Sequence, residues 1–406
     1  MSLPRLVVVD GIRTPFCKWN THFANVGADE LGRVAVSALL TRTGLDPKLI
    51  DEVIFGCVCQ PAETANISRV IALRAGIPES VPAMTVHRNC ASGFEAITTA
   101  FERMTAEHGS VFIVGGTENM SQVPLLFKQS TAKKYAALAG AKSAGKKLAA
   151  LGKFRLSDLE PRIALKLGLT DPVSELNMGE TAEILARENG ISREMQDEFA
   201  VESNQRAVAA REKLSDEICP VYVNGKAITD DNGPRADTSL AALGKLKPAF
   251  DRRHGTVTPG NSSQITDGAV ALLVMTEEKA AKLGFTQPLG RLAEYAYTGC
   301  DPERMGLGPV SAIRKIGRSL DDADLIEINE AFAAQVLSVL KILGNVPREK
   351  LNVNGGSIAL GHPVGATGAR LVLGALKELQ RRQGHRALVS LCVGGGQGGA
   401  LWLERP

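Results

Sequence analysis

Aromatic residues are scarce in this chain: 4% of 406 residues, with two tryptophans and four tyrosines. The hydrophobic fraction, 44%, is ample for large cores but is almost entirely aliphatic. No apolar run approaches the ~20 residues that a membrane-spanning helix requires. The opening stretch, MSLPRLVVVD, enters a strand-like run at once and leaves no room for a signal peptide, so a cytoplasmic location is expected. Two cysteine pairs at metal-binding spacing are missing as well. Seven scattered cysteines, an odd number, fit a reducing compartment better than a disulfide framework. Cys57 and Cys59 form a C-x-C, but no second pair stands at metal spacing, so no metal site is expected. Without a second pair to complete a metal site, the two are given a structural reading. A net charge of +3 by itself neither favours nor excludes nucleic acid, and no nucleic-acid partner is expected.

Glycine, in contrast, is abundant. Forty-one glycines exceed the usual ~7%, and many lie beside apolar runs. They imply tight turns and close backbone approaches. The length alone implies about two to three domains.

From the start, strand and helix patterns alternate. Arg5–Val9 reads as a strand followed by a turn at Asp10-Gly11, and 28–43 as a helix ending at Gly44. Residues 52–58 read as a buried strand, 66–75 as a helix, 81–86 as a strand and 110–116 as another. Such alternation argues for an α/β sheet. Between Glu118 and Asp251 the character changes to a lysine-rich run, helical segments at 181–189 and 192–213, and a polar stretch. This reads as an inserted domain. Strand character returns at 268–275, and from Glu277 the first pattern restarts. The LIEI run at Leu325–Ile328 resembles the strand that begins at Val53. Val53 precedes Cys90 by 37 residues, and Leu325 precedes His362 by the same 37. The chain is thus read as a duplicated α/β protein with a site between its halves. The predicted parts are 1–118 with 251–276, the insert 119–250, and 277–406.

The chemistry-bearing residues cluster at the predicted strand ends, where α/β sheets hold ligands. Cys90, in VHRNCASGFEAI, lies at a strand-to-helix elbow. A helix N-terminus there should lower the thiol from its free pKa of about 8.5. Asn329 follows the LIEI strand, at what reads as a helix start. His362 lies in a glycine-rich loop, and Cys392 ends a strand that runs into glycines able to form an anion-binding nest. A nucleophilic cysteine activated by imidazole, a second thiol to shuttle a proton, and donors for oxyanions suit carbon–carbon chemistry alpha to a thioester.

Four blocks carry a family resemblance: NCASG at Asn89–Gly93, NEAF at Asn329–Phe332, GHPVGATG at Gly361–Gly368 and CVGGGQG at Cys392–Gly398. With these the chain resembles the thiolases, essentially from end to end. The resemblance implies the thiolase fold: two similar βαβαβαββ halves stacked as a five-layer αβαβα core, with an inserted loop domain. It implies a ping-pong acyl-CoA C-acyltransferase that cleaves 3-ketoacyl-CoA, or runs the reverse Claisen condensation. Cys90 would be acylated, His362 would activate it, and Cys392 would serve the alpha carbon as acid/base. Asn329 would hold a water that completes one oxyanion hole with His362, and the N–H groups of Cys90 and Gly394 would form the other. Coenzyme A enters as a substrate, and no permanently bound cofactor is implied. Ser263 in GTVTPGNSSQITDGA, with Arg235, Ala249, Phe250, Met178, Ala331 and Phe332, would line its path.

Some features depart from that pattern. Asn177-Met178-Gly179 stands where short-chain members carry His-Met-Gly. The long basic insert resembles the thiolase subunits of fatty-acid oxidation complexes, whereas Met305 suits a short acyl pocket. β-Ketoacyl synthases lack the second cysteine, so Cys392 argues against them. A non-catalytic acyl-CoA or lipid-binding relative would be expected to have lost one of Cys90, His362 or Cys392. A homodimer or homotetramer is expected. From Lys128 to Ser157 there are seven lysines, one arginine and no acid. Leu138, Leu148, Leu151 and Tyr135 give this run an apolar side, so Lys128–Arg155 is a candidate docking surface for a partner subunit or membrane.

Overall fold

Strand β1 (Leu6–Arg13) leads to helix α1 (Ala28–Thr43), strand β2 (Glu52–Gly56), helix α2 (Ile67–Arg74), strand β3 (Ala83–Val86), helix α3 (Ser92–Thr105) and strand β4 (Val111–Glu118). This is a computed structural model, and it describes residues 5–344 and 346–405. The predicted outer limits at 1 and 406, and the opening Met1–Pro4, lie outside the described residues. The predicted turn at Asp10-Gly11 is instead the middle of β1. The strand absorbs a register shift between Val8 and Asp10 and continues along its neighbour. Gly11 is needed for closeness there, since a Cβ would come within 2.3 Å of the Leu272 side chain.

The segment from 119 to 250 carries helices α4 (Gln129–Ala139), α5 (Ala144–Leu151), α6 (Met178–Glu188) and α7 (Arg193–Ala209). Helix α6 starts earlier than predicted because Asn177 caps it. Its side chain accepts from the N–H groups of Gly179 and Glu180, and the Glu180 carboxylate accepts from Asn177 N. The predicted helix at 192–213 breaks at Ala210, with a separate short helix at Arg211–Ser215.

Strand β5 (Thr266–Thr276) follows, then β6 (Gly290–Gly299), α8 (Gly308–Ile316), β7 (Leu325–Ile328), α9 (Ala333–Leu343), α10 (Ser357–Leu360), α11 (Val364–Arg382), β8 (Arg386–Val393) and β9 (Gln397–Glu404). The hydrogen-bonded order is β7-β8-β9-β6-β1-β5-β4-β2-β3. Within each half the pattern repeats: β2 pairs parallel with β4 as β7 does with β8, and β4 pairs antiparallel with β5 as β8 does with β9. Among the described residues, strand pairing joins the halves at two residue pairs, Val7–Arg291 and Val8–Gly290. They differ at one place. The counterpart of β3 in the second half is reduced to a single parallel bridge between Ile326 and Leu351.

Both faces of the sheet are covered, which explains why β5 is apolar at every position from Ala269 to Met275. Val270, Leu272 and Val274 face the central helices α3 and α11, while Ala271, Leu273 and Met275 face α1 and α2. On the far side, β7 and β8 pack against α8 and α9. The layers therefore run α1/α2, sheet, α3/α11, sheet, α8/α9, the expected αβαβα order. Helix α11 lies in the middle and is buried nearly all round. Its approach to α3 is backbone on backbone: a Cβ at Gly93 would meet Ala369 N at 2.5 Å.

Candidate active site

The two central helices place two elbows at one end of the central layer. Cys90 stands two residues before α3, and His362 two residues before α11. At the first elbow Asn89 takes a positive φ of 43° and donates from Nδ2 to the carbonyl of Gly394 at 2.7 Å. Ser92 Oγ accepts from Arg88 N at 2.9 Å and donates to Asn89 O at 2.7 Å. These bonds hold Cys90 so that the N–H groups of Gly394 and of Cys90 itself face its sulfur. The expected lowering of its pKa does not occur. Burial pushes the Cys90 thiol up; the two N–H groups pull it down but are outweighed, and the nearby Glu118 charge adds to the rise.

His362 is 8% exposed, and its backbone N–H donates to Gln264 O at 3.0 Å. Its Nδ1 lies 2.6 Å from Thr367 Oγ1, and that hydroxyl donates to Pro363 O at 2.9 Å. Since the single hydroxyl hydrogen is used there, Nδ1 carries the hydrogen of the histidine bond and Nε2 keeps a free lone pair. Burial, with a smaller contribution from the Arg370 charge, lowers the imidazole to about 4. At neutral pH His362 is therefore an uncharged ring able to accept a proton.

Asn329 continues the pairing of β7, its N–H donating to Ser390 O at 2.9 Å. It does not start a helix as expected; α9 begins four residues later, at Ala333. Its Oδ1 accepts from Ser357 Oγ at 2.6 Å, while Nδ2 is buried and has no hydrogen-bond partner among the described residues. Cys392 is buried in β8, just before the turn formed by Gly394, Gly395 and Gly396. Burial and then the neighbouring Cys90 push its thiol well up. It is a protonated thiol at neutral pH.

Around Cys392 a single apolar cluster gathers Ala331, Phe332, Met305 and Val257, with Met178 and Phe250 packed against it. Phe250 and Phe332 meet edge to face at 6.1 Å. Met178 reaches the glycine turn, its Sδ 3.4 Å from where a Cβ of Gly394 would stand. Ser263 N donates to Ala331 O at 2.9 Å, and Ser262 bridges Phe332, so the segment around Ser263 is laced to the NEAF block. Ala249 bonds Val257 O through its N–H at 2.9 Å. Arg235 stands apart from this cluster. It is exposed, anchored through its backbone N–H to Asn204 Oδ1 at 3.1 Å, with no hydrogen bond or ion pair from its side chain among the described residues. Asn177 does not face the site with a free side chain, since capping α6 consumes it.

Four residues of the site carried no role in the sequence reading. Asn89 and Thr367 orient Cys90 and His362, and Ser357 orients Asn329. Glu118, at the end of β4, is the fourth. It accepts from Val58 N at 3.1 Å, Cys59 N at 2.8 Å and Gly365 N at 2.9 Å, joining the two halves behind both elbows. A carboxylate closing a fully buried strand was the signal for it. Cys57 and Cys59 lie beyond the end of β2, and both adjoin this carboxylate.

Two related sheets enclosing a shared helix pair, with two thiols, an imidazole and an unpaired amide at one end, define an α/β enzyme of acyl transfer. Comparison with known proteins agrees. Residues 6–278 match the family described as Thiolase, N-terminal domain, and residues 286–405 match Thiolase, C-terminal domain. The chain is 41% identical to a 3-ketoacyl-CoA thiolase of Pectobacterium atrosepticum, covering 98% of this chain and 96% of that protein. It is 42% identical to an acetyl-CoA acetyltransferase of Pseudomonas aeruginosa, covering 98% and 99%. Among solved structures, the Bacillus anthracis acetyl-CoA acetyltransferase superposes with a TM-score of 0.90 at 39% identity over 100% of both chains. Human mitochondrial 3-ketoacyl-CoA thiolase in complex with CoA superposes with a TM-score of 0.89 at 37% identity, covering 99% and 98%. The chain belongs to the thiolase family. It is an acyl-CoA C-acyltransferase of fatty-acid metabolism.

Proposed function

We propose that this enzyme works by a ping-pong route on acyl-CoA and CoA, with Cys90 as the acyl carrier. In the cleavage direction Cys90 Sγ attacks the 3-keto carbon while its proton passes to His362 Nε2. The C2–C3 bond breaks, and the departing acetyl-CoA enolate takes the proton of Cys392. Free CoA then attacks the acyl-cysteine, giving its thiol proton to Cys392, while Cys90 recovers a proton from His362. A neutral imidazole and a protonated second thiol are the starting states this order requires. The N–H groups of Cys90 and Gly394 serve the oxyanion at the acylated carbon. Asn329 Nδ2, through a water, and His362 serve the enolate. Coenzyme A runs past Ser263, Ala249, Phe250, Met178, Ala331 and Phe332, with Arg235 at its exposed rim. The working division is a first half of 1–118 with 251–276, an insert of 119–250 and a second half of 277–406.

The observation that carries this reading is the tie from Asn89 to Gly394, which sets the Cys90 sulfur beneath a backbone N–H two residues from Cys392. Incubation with acetyl-CoA followed by peptide mass spectrometry tests it. Acetyl should appear on Cys90, be absent in Cys90→Ala and persist in Cys392→Ala. The latter should lose about 10²–10⁴-fold in carbon–carbon chemistry, as expected for a positioned acid/base. Full condensation activity in Cys392→Ala would remove Cys392 from the mechanism.

The partners we infer are a second copy of the chain and an anionic lipid surface. Strand β3 is the free edge of its half, and its four residues are only half-buried. For the lipid surface, the support is the face built by α4, α5 and the loops beside them. Leu148 is 72% exposed and Leu156 88%. Around them Lys133, Lys142, Lys146, Lys147 and Lys153 make no ion pair among the described residues, while Lys134 pairs with Asp158 and Lys128 with Glu160.

A further inference from the structure

Asn329 serves the enolate best when its amide nitrogen, not its oxygen, faces the water through which it acts. A side-chain amide can turn over, and an oxygen in that place would take one of the water's hydrogens and leave it a poorer donor to the developing charge. What decides the orientation is therefore part of the catalytic apparatus. Its only side-chain partner among the described residues is Ser357, whose hydroxyl donates to Oδ1 at 2.6 Å. Both residues are fully buried.

The hydroxyl is itself placed by a chain of contacts that begins in the insert. Glu330, next to Asn329, accepts from Ser203 Oγ of α7 at 2.6 Å, from Asn352 Nδ2 at 2.9 Å and from Ile358 N at 3.3 Å. Ser203 Oγ in turn accepts from Gly356 N at 3.2 Å. Gly356 lies so close to the Glu330 carboxylate that a Cβ would stand 2.3 Å from its Cδ. The backbone on both sides of Ser357 is thus pinned to Glu330.

We infer that Ser357 is a positioning residue for the enolate-forming step: its hydroxyl, set by the Glu330–Ser203 clasp, holds Asn329 Oδ1 and so presents Nδ2 to the water that serves the reacting oxygen. The inference rests on the role of Asn329 proposed above. Without the hydroxyl, Oδ1 would be left buried without a donor, and nothing would favour the productive orientation.

The test separates the two half-reactions. Loss of deuterium from trideuteroacetyl-CoA reports enolate formation, and acetylation of Cys90 by acetyl-CoA reports acyl transfer. Ser357→Ala should slow deuterium loss about tenfold, as expected for a mispositioned group, with Cys90 acetylation changed by less than about twofold. Asn329→Ala should slow deuterium loss by about 10²–10³-fold, as removal of an oxyanion donor does. The double variant should be no slower than Asn329→Ala alone, because Ser357 acts only through Asn329. Ser357→Cys, which keeps a weak donor of similar size, should recover part of the loss. If Asn329→Ala is slow and Ser357→Ala is not, the inference fails. It fails equally if the two losses multiply in the double variant, or if Ser357→Ala depresses both half-reactions alike. Should Asn329→Ala itself leave deuterium loss unchanged, the underlying assignment of Asn329 falls, and the inference with it.

Discussion

The surroundings of His362 fix both its charge and the nitrogen on which its hydrogen sits, and the charge has a consequence for stability. The ring stays neutral in the folded chain down to about pH 4, whereas an unfolded histidine takes a proton near pH 6.5. Between those values only the unfolded state gains the proton, so this residue makes the fold less stable as pH falls from about 6.5 to 4. At about 1.4 kcal/mol per pKa unit, the loss approaches ~3 kcal/mol. His362→Asn lacks this contribution. Urea unfolding from pH 7 to 4 should therefore show a steeper decline for the parent than for the variant, and parallel curves would contradict the neutral assignment. The same variant should slow acetylation of Cys90, since the raised thiol then has no base to receive its proton.

Between elements, the joint that matters most is Glu118. It terminates β4, receives two N–H groups from the loop after β2, and caps α11 through Gly365, a donor with no partner within its own helix. One carboxylate thereby fixes the His362 helix relative to the Cys90 half. Glu118→Gln keeps the shape but turns an NH₂ group toward backbone donors, leaving at least one unsatisfied. A loss of about 1–3 kcal/mol is expected in denaturant unfolding. Because the Glu118 charge also raises the Cys90 thiol, the pH at which iodoacetamide inactivates the enzyme should shift downward in that variant. Unchanged stability together with an unchanged alkylation profile would contradict this account.

At this level the sequence was largely readable. Gly44 marked a helix end because capping is local chemistry, and the equal spacings to Cys90 and His362 exposed the duplication because each elbow precedes one of the two central helices. Glycine at Gly11 misled, since a turn and a close strand crossing both demand a missing side chain. The starting point of α9 was hidden because Asn329 extends β7 by a long-range bond to Ser390. The thiol of Cys90 was misjudged because burial depends on what the distant second half places over it.

At the scale of the molecule, the basic face of the insert is the feature not explained by catalysis. Changing Lys142, Lys146 and Lys147 together to Gln should abolish cosedimentation with vesicles rich in anionic lipid, while kcat on a short 3-ketoacyl-CoA stays within about twofold. A salt-sensitive fall in kcat/KM for CoA, with vesicle binding unchanged, would instead assign these lysines to steering the substrate.

The central layer has a bearing on how the chain is made. Helix α3 is completed only by α11, which lies on the far side of the whole insert in sequence order. A chain emerging from the ribosome N-terminus first therefore displays Phe94, Ile97 and the inner faces of β4 and β5 without their cover until the second half has been synthesised. The duplicated halves are similar in form but not independent in birth: the first to be translated has to wait, with its apolar inner surface open, for the second.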